Sequence, residues 1–450
     1  MDPVTIAIAD HAAGLDYGSI PAPVVHAAKQ RLIDTIACAI GGSRCEAAAM
    51  GRRIAKGAVP RRLPGRILGT PERATAEEAA FVNGAMIRYL DFNDTVHGGH
   101  PSDALGAVLA LADAAEADGK RLLTGMIVAY ETATRLIAAA RLRERGWDQG
   151  FAIGIAAAAG AGHMLRLPAE RLAHAVAITT VANVPLRATR AGELSKWKGA
   201  ATAFACRNAV YAAQLAAEGM TGPEAAFTGR HGAFEQLGGA FELQPFGGEF
   251  LTPRVGLKYW PVENSAQAAV WAAMELRRVM PVASIADIDI AASWAAWHEL
   301  GSEPAKWAPK TRETADHSLA YIFARGLVDG EITVRSFDAA QYLDPALRPL
   351  MAKIRVHQDA EIDQVYPARV LMRAKATDAA GRAESIEIAN PRGHVANPMT
   401  DAETEAKFMH LAEPELGKAK SAAVLDMLWH IERESSLGRL YDLLEFDGGL

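Results

Sequence analysis

Four short stretches of this chain concentrate the residue types that move protons or hold anions. The densest is LDFNDTVHGGHPSD (90–103), which carries Asp91, Asp94, Thr95, His97, His100 and Asp103. It follows an apolar helical pattern, and Gly98, Gly99 and Pro101 turn its second half into a loop. A histidine on such a loop can act as acid or base near neutral pH, and a neighbouring carboxylate can orient and tune it. Plainer readings stand beside this one: Asp94 or Ser102 capping a helix, and His97 lying in solvent. A metal site built from Asp91, Asp94, His97 and His100 is a third reading, weakened by the Gly-Gly interruption and by the lack of an HExxH-like signature.

The second stretch, PLRATRAGELSKWKGAA (185–201), places Arg187, Arg190, Lys196 and Lys198 just before an Ala-rich helical pattern. Lys198 at the start of that helix could join the first backbone amides in holding an anion. Lys196 reads as a solvated cation. The third, GLKYWPVENSAQ (256–267), sets Lys258 beside Tyr259, Trp260 and Pro261 near an expected domain junction, where pockets are common. An aromatic hinge with a snorkelling lysine is the equal alternative. In the fourth, KWAPKTRETADHSLAYI (306–322), His317 and Tyr321 share one helix face, with Asp316 or Thr314 as its cap. Tyr321 can donate a hydrogen bond to an oxyanion, although packing in the core explains it more simply. The chain has no P-loop, no nucleophile elbow and no dinucleotide fingerprint.

The elements that must position these residues fall into two kinds. Helical periodicity covers 21–40, 76–90 with Thr75 and Glu78 as a capping box, and about 104–117, 121–141, 150–165, 168–182, 198–218 and 264–280. Strand alternation appears only later, at 285–293, 353–359, 368–377 and 384–390, around a helical pattern at 317–330. Helices return at 401–412 and 418–432. The expected fold is mainly α with a smaller α+β unit: a helical domain over 1–280, an α+β lid over 281–400, and C-terminal helices over 401–450 that return to the helical domain. Alanine runs such as 153–162 and 200–219 point to helices packed closely together.

Composition bounds the rest. The 450 residues are half hydrophobic, with a net charge of −6, which excludes a disordered chain and argues against a nucleic-acid partner. Cys38, Cys45 and Cys206 match no disulfide framework or zinc pattern, which suggests a reducing cytoplasm. The N-terminus lacks the pattern of a signal peptide, and the longest apolar stretch, 150–165, is too short to span a membrane.

The strings LDFNDTVHGGHPSD, TRAGELSKWKGAA, LKYWP, WAPKTRETADHSLAYI and PRGHVANPMTD, in this order, resemble the MmgE/PrpD family. That family includes 2-methylcitrate dehydratase, cis-aconitate decarboxylase and iminodisuccinate epimerase. The resemblance implies a helical domain with an α+β lid, a homodimer, and a cleft between domains without metal, iron–sulfur cluster or other cofactor. By motif position it places the catalytic residues at Asp91, Thr95, His100, Lys198, Lys258 and Tyr321, with Arg190, Asp148, Gln149 and Ser265 near the substrate. It implies a hydro-lyase acting on a small 2-methylcitrate-like hydroxy-polycarboxylate through a carbanion; decarboxylation or epimerisation of a related acid is the alternative. Two positions depart from the pattern. Dehydratases of this branch tend to read Asp-His where this chain reads Asp148-Gln149, and decarboxylases have a histidine at the position of Asp148. Many relatives read PAEYHSQ where this chain reads PVENSAQ, with Ser265 replacing a histidine.

Overall fold

The computed structural model describes residues 1–57, 62–446 and 449. Helices dominate, and a small mixed sheet lies in the second half of the chain. The helical expectations hold within a few residues: Ala22–Gly41, Ala76–Tyr89, Gly119–Ala140, Gly150–Met164, Ala169–Ala182, Ala201–Ala217 and Gln267–Val279. Small residues bring their axes together. A Cβ on Gly84 would lie 3.0 Å from Ala203, and one on Gly106 would lie 2.8 Å from the Gly84 Cα. Side chains any larger would force helices Ala76–Tyr89, Leu105–Ala112 and Ala201–Ala217 apart, which accounts for the alanine runs.

Several expectations are corrected. Thr75 accepts the Glu78 N–H as a cap, but the Glu78 carboxylate turns to Arg207 at 3.1 Å, so the reciprocal half of the box is not made. A two-stranded hairpin, Pro64–Arg66 with Arg73–Thr75, precedes this helix; at three residues each, its strands are too short for alternation to reveal. The stretch 150–165 forms a helix too short to cross a membrane, as expected; among the described residues Gly119–Ala140 is long and apolar enough, and it is mostly buried inside the fold.

The sheet runs in the order Ile354–Gln358, Ile285–Ala292, Leu371–Asp378, Ala383–Ala389. The first pair is parallel and the others are antiparallel. A second apolar core begins at Val262 and runs through helices Gln267–Val279 and Leu319–Asp329 to Ala376 on the sheet. Helix Gln267–Val279, read from sequence as the end of the first domain, therefore packs with the sheet. Its apolar face carries no mark of which core it joins.

Helix Asp401–Leu416 lies against Ala22–Gly41, and Phe408, Leu411 and Leu416 belong to the first, larger core. Lys407 on that helix is buried. It pairs with Asp34 at 2.5 Å and donates to the carbonyls of Phe92 at 2.7 Å and Lys258 at 3.0 Å. One ammonium thus ties the C-terminal helix to both segments that carry site residues. Lys407→Met would leave the buried Asp34 carboxylate without its cation, and is expected to cost roughly 3–5 kcal/mol of unfolding free energy in urea. Adding Asp34→Asn should recover part of that loss; a fully additive double variant would contradict the pairing.

Candidate active site

Helix Ala76–Tyr89 ends at Leu90, and Asp91 then adopts a left-handed backbone with φ 49°. Aspartate visits this region more readily than bulkier residues, yet the conformation still costs energy and persists only when surroundings over-determine it. They do so here. The Asp91 carboxylate accepts from Arg88 Nη1 at 2.6 Å, Lys258 Nζ at 2.6 Å and Lys198 Nζ at 2.9 Å, and its carbonyl accepts from Lys258 at 2.9 Å. All four residues are buried. Burial alone would raise the Asp91 pKa; Arg88, Lys198 and Lys258 outweigh it and hold the group well below the usual carboxylate range.

Each cation arrives by its own device. Arg88 is one helical turn before Asp91. Lys198 sits in the turn Lys196–Gly199, with its ammonium between two carboxylates, Asp91 at 2.9 Å and Asp316 at 3.1 Å. It does not join helix amides around an anion, as its sequence position suggested. Lys258 lies on an extended segment held by reciprocal backbone bonds between Thr95 and Gly256, at 2.8 and 2.9 Å, and by Leu257 N–H donating to Gly393 at 3.1 Å. Only glycine fits at 393: its φ is 95°, and a Cβ would meet the Leu257 carbonyl at 1.9 Å.

Two imidazoles flank Asp91. His100 Nδ1 donates to the Asp94 carbonyl at 2.6 Å, so its neutral form keeps a bare Nε2, 3.8 Å from Asp91. His317 Nδ1 donates to the Asp316 carboxylate at 2.5 Å, which likewise leaves Nε2 as the free nitrogen. Burial, reinforced by Arg88 and Lys258, pushes the His100 pKa well below its ordinary value. Burial and Lys198 lower that of His317 to about 4. Both rings are therefore neutral bases at neutral pH.

A narrow cleft opens beside them, lined by Arg88, Thr95, His100, Arg143, Gln149, Arg187, Arg190, Glu263, Asn264, Ser265, Glu299, His317 and Tyr366 among others. Arg190 pairs with Asp148 at 2.8 Å, and Arg187 pairs with Glu299. Arg143 Nη1 and Arg190 Nη2 are buried with no partner. Burial pushes the Glu263 pKa up, against the pull of Lys258 and Arg143. The unpartnered guanidinium nitrogens of Arg143 and Arg190 on the wall suit an anion with several carboxylates.

The fold thus brings Asp91, Thr95, His100, Lys198, Lys258, Arg190, Asp148, Gln149 and Ser265 to one place. Gln149 accepts the His100 N–H at 2.7 Å and donates to Asp103 at 3.3 Å, so it steadies the histidine loop. Tyr321 lies elsewhere. It is wholly buried in the second core, its hydroxyl donates to the Ser336 carbonyl, and it does not line the cleft. Ser318 caps its helix, in place of Asp316 or Thr314. The four residues of the alternative metal reading are dispersed: the Asp94 carboxylate faces Ser102 at 2.6 Å, and His97 is exposed and bonded to Tyr366 at 2.9 Å. A different trio, Asp91, Asp316 and His317, has ligand atoms within 4.8 Å of one another, but the Lys198 ammonium already bridges its two carboxylates. Arg143, Glu299 and Tyr366 carry no local motif, and Glu263 went unremarked within PVENSAQ. His317 was visible only as a neighbour of Tyr321, although the Asp-His pair itself was the available signal.

Residues 6–245 match the MmgE/PrpD N-terminal domain, and residues 260–431 match the MmgE/PrpD C-terminal domain. The chain belongs to the MmgE/PrpD family. Among its relatives, a 2-methylcitrate dehydratase of Cupriavidus necator is 30% identical over 75% of this chain and 74% of its own length. One from Escherichia coli O157:H7 is 30% identical over 81% of this chain and 80% of its own. A cis-aconitate decarboxylase-like protein of Aspergillus oryzae is 26% identical over 98% and 97%. The site of this family member lies where its two matched halves meet.

The depressed histidine pKa makes a pH signature. The unfolded chain takes up a proton on His317 near pH 6.5, while the folded chain resists until about 4. This contribution to stability is complete above pH 6.5 and is lost as pH falls through that window, with a slope of about 1.4 kcal/mol per pH unit. His317→Gln should flatten the fall in unfolding free energy between pH 6 and 4; an unchanged slope would contradict a buried neutral imidazole.

Proposed function

We propose that the chain is a hydro-lyase that removes water from a 2-methylcitrate-like hydroxy-polycarboxylate, without metal. The observation that carries this reading is the pair of neutral, Nδ1-anchored imidazoles beside the buried cluster in which Arg88, Lys198 and Lys258 converge on Asp91. Dehydration of such an acid needs a base for the proton next to a carboxylate, cationic groups for the charge that develops on that carboxylate, and an acid for the leaving hydroxyl. His100 takes the proton at its bare Nε2. The guanidinium nitrogens of Arg143 and Arg190 that lack partners receive substrate carboxylates. Lys198 and the Arg88 side chain offset the carbanion charge.

The leaving hydroxyl departs as water with a proton from Lys258. Burial lowers the pKa of this ammonium against the opposing effect of Asp91, which makes it a better donor than an exposed lysine. Tyr321, the donor suggested by motif position, has its hydroxyl committed in the lid core. The carbon–hydrogen and carbon–oxygen bonds break, a carbon–carbon double bond forms, and one water leaves. Lys198 between Asp91 and Asp316 supports the metal-free reading, because the carboxylates a divalent ion would use are already charge-paired.

Incubation with 2-methylcitrate should raise ultraviolet absorbance as the conjugated alkene forms. His100→Ala and Lys198→Ala should each lower the rate by about 10²-fold or more. Full activity in either variant would refute its role. Dialysis against EDTA should leave the rate unchanged; a loss restored by a divalent ion would overturn the metal-free reading.

A further inference from the structure

A cavity of about 560 Å³ shares no lining residue with the charged cleft, and the proposed reaction leaves it unused. It runs along the seam between the two matched halves of the chain. Tyr89 and the turn Lys196–Gly199 form one wall, and residues 310–313 with Tyr342 form the other. Short bonds already tie this seam: Leu194 N–H donates to the Thr314 hydroxyl at 3.0 Å, and the Thr311 hydroxyl donates to the Leu194 carbonyl at 2.9 Å. The same two walls lead to Lys198 and Asp316, whose side chains meet at 3.1 Å.

Arg312 on this wall has no carboxylate partner among the described residues. Its guanidinium lies 4.7 Å from the ring centroid of Tyr89 and 5.4 Å from that of Phe337, and its Nε and Nη2 are buried with no acceptor. The rings offer their faces rather than acceptors in the guanidinium plane, so its N–H edge goes unmet. Nearby carboxylates are engaged: Glu46 with Lys196, and Glu193 with the Thr311 and Thr314 hydroxyls at 3.1 and 2.7 Å. Glu313 offsets the ammonium of Lys310 on the same wall, so the space suits one negative charge rather than several. The rest of the lining is rich in rings. Trp197 packs on Phe204 at 5.6 Å between centroids, yet stays 46% exposed. An indole left half in water beside a cavity gains from being covered by another ring. We propose that this cavity is a second ligand site, separate from the cleft, for a planar aromatic ring bearing one carboxylate. The carboxylate meets Arg312 and the ring lies against Trp197 and Tyr342. Bound there, the ligand joins the two walls, and with them the segments that carry Lys198 and Asp316. The inference is independent of the reaction in the cleft.

The test is calorimetric titration of the full chain with 2-naphthoate, with and without excess 2-methylcitrate, together with hydrogen exchange of the complex. A Kd of roughly 1 mM or below is expected for a ligand of this size. Arg312→Gln should weaken binding by about tenfold or more, since it removes a charge-assisted bond. Trp197→Ala, on an exposed ring, should weaken it about threefold and serves if the first variant folds poorly. Amide exchange should slow at 196–199 and 310–316, and 2-methylcitrate should not displace the ligand. Absence of binding overturns the site. So does displacement by 2-methylcitrate, or protection confined to 97–100 and 185–190, because either places the naphthoate in the cleft. Binding that both variants leave unchanged also contradicts it.

Discussion

One buried carboxylate holds the site together. Asp91 meets Arg88, Lys198 and Lys258 in the interior, where each of those charges would be costly alone. The three cations come from a helix end, a turn and an extended strap that are far apart in the chain. Asp91 therefore acts as the common point toward which separately folded pieces must converge. Its left-handed backbone is the cost of aiming one carboxylate at three partners, and the bonds it makes offset that strain.

The same cluster sets the chemistry. With cations on either side, neither His100 nor His317 is protonated in the folded protein, and each has Nδ1 occupied by an oxygen that can only accept. Two bases are thereby held neutral beside a cleft walled by Arg143, Arg187 and Arg190. Burial lowers both histidines first, and the neighbouring Arg88, Lys258 and Lys198 add to it. A chain with a net charge of −6 can carry an anion site there, because the cationic groups that form it are local.

Much of this was legible before any coordinates. Periodicity located the long helices, because a buried helix must repeat its apolar face every three to four residues. The Asp- and His-rich loop marked Asp91 and His100, whereas Arg88, one turn before it, was not singled out. What escaped shares a cause: dependence on partners distant in sequence. Glu299 is explained only by Arg143 and Arg187, and Tyr366 only by His97 and the cleft. Tyr321 was placed in the site by motif position; the helix begins at Leu319, so His317 lies before it and shares no helix face with Tyr321, whose side chain packs in the second core. The boundary near 280 failed because the apolar face of Gln267–Val279 fits either core.

The central claim is that this arrangement expels water from a hydroxy-polycarboxylate. A mass-resolved turnover experiment on a panel of di- and tricarboxylates tests it most directly. The account requires that a hydroxy-tricarboxylate lose the mass of one water. Loss of carbon dioxide instead, or inversion with no change in mass, would contradict it.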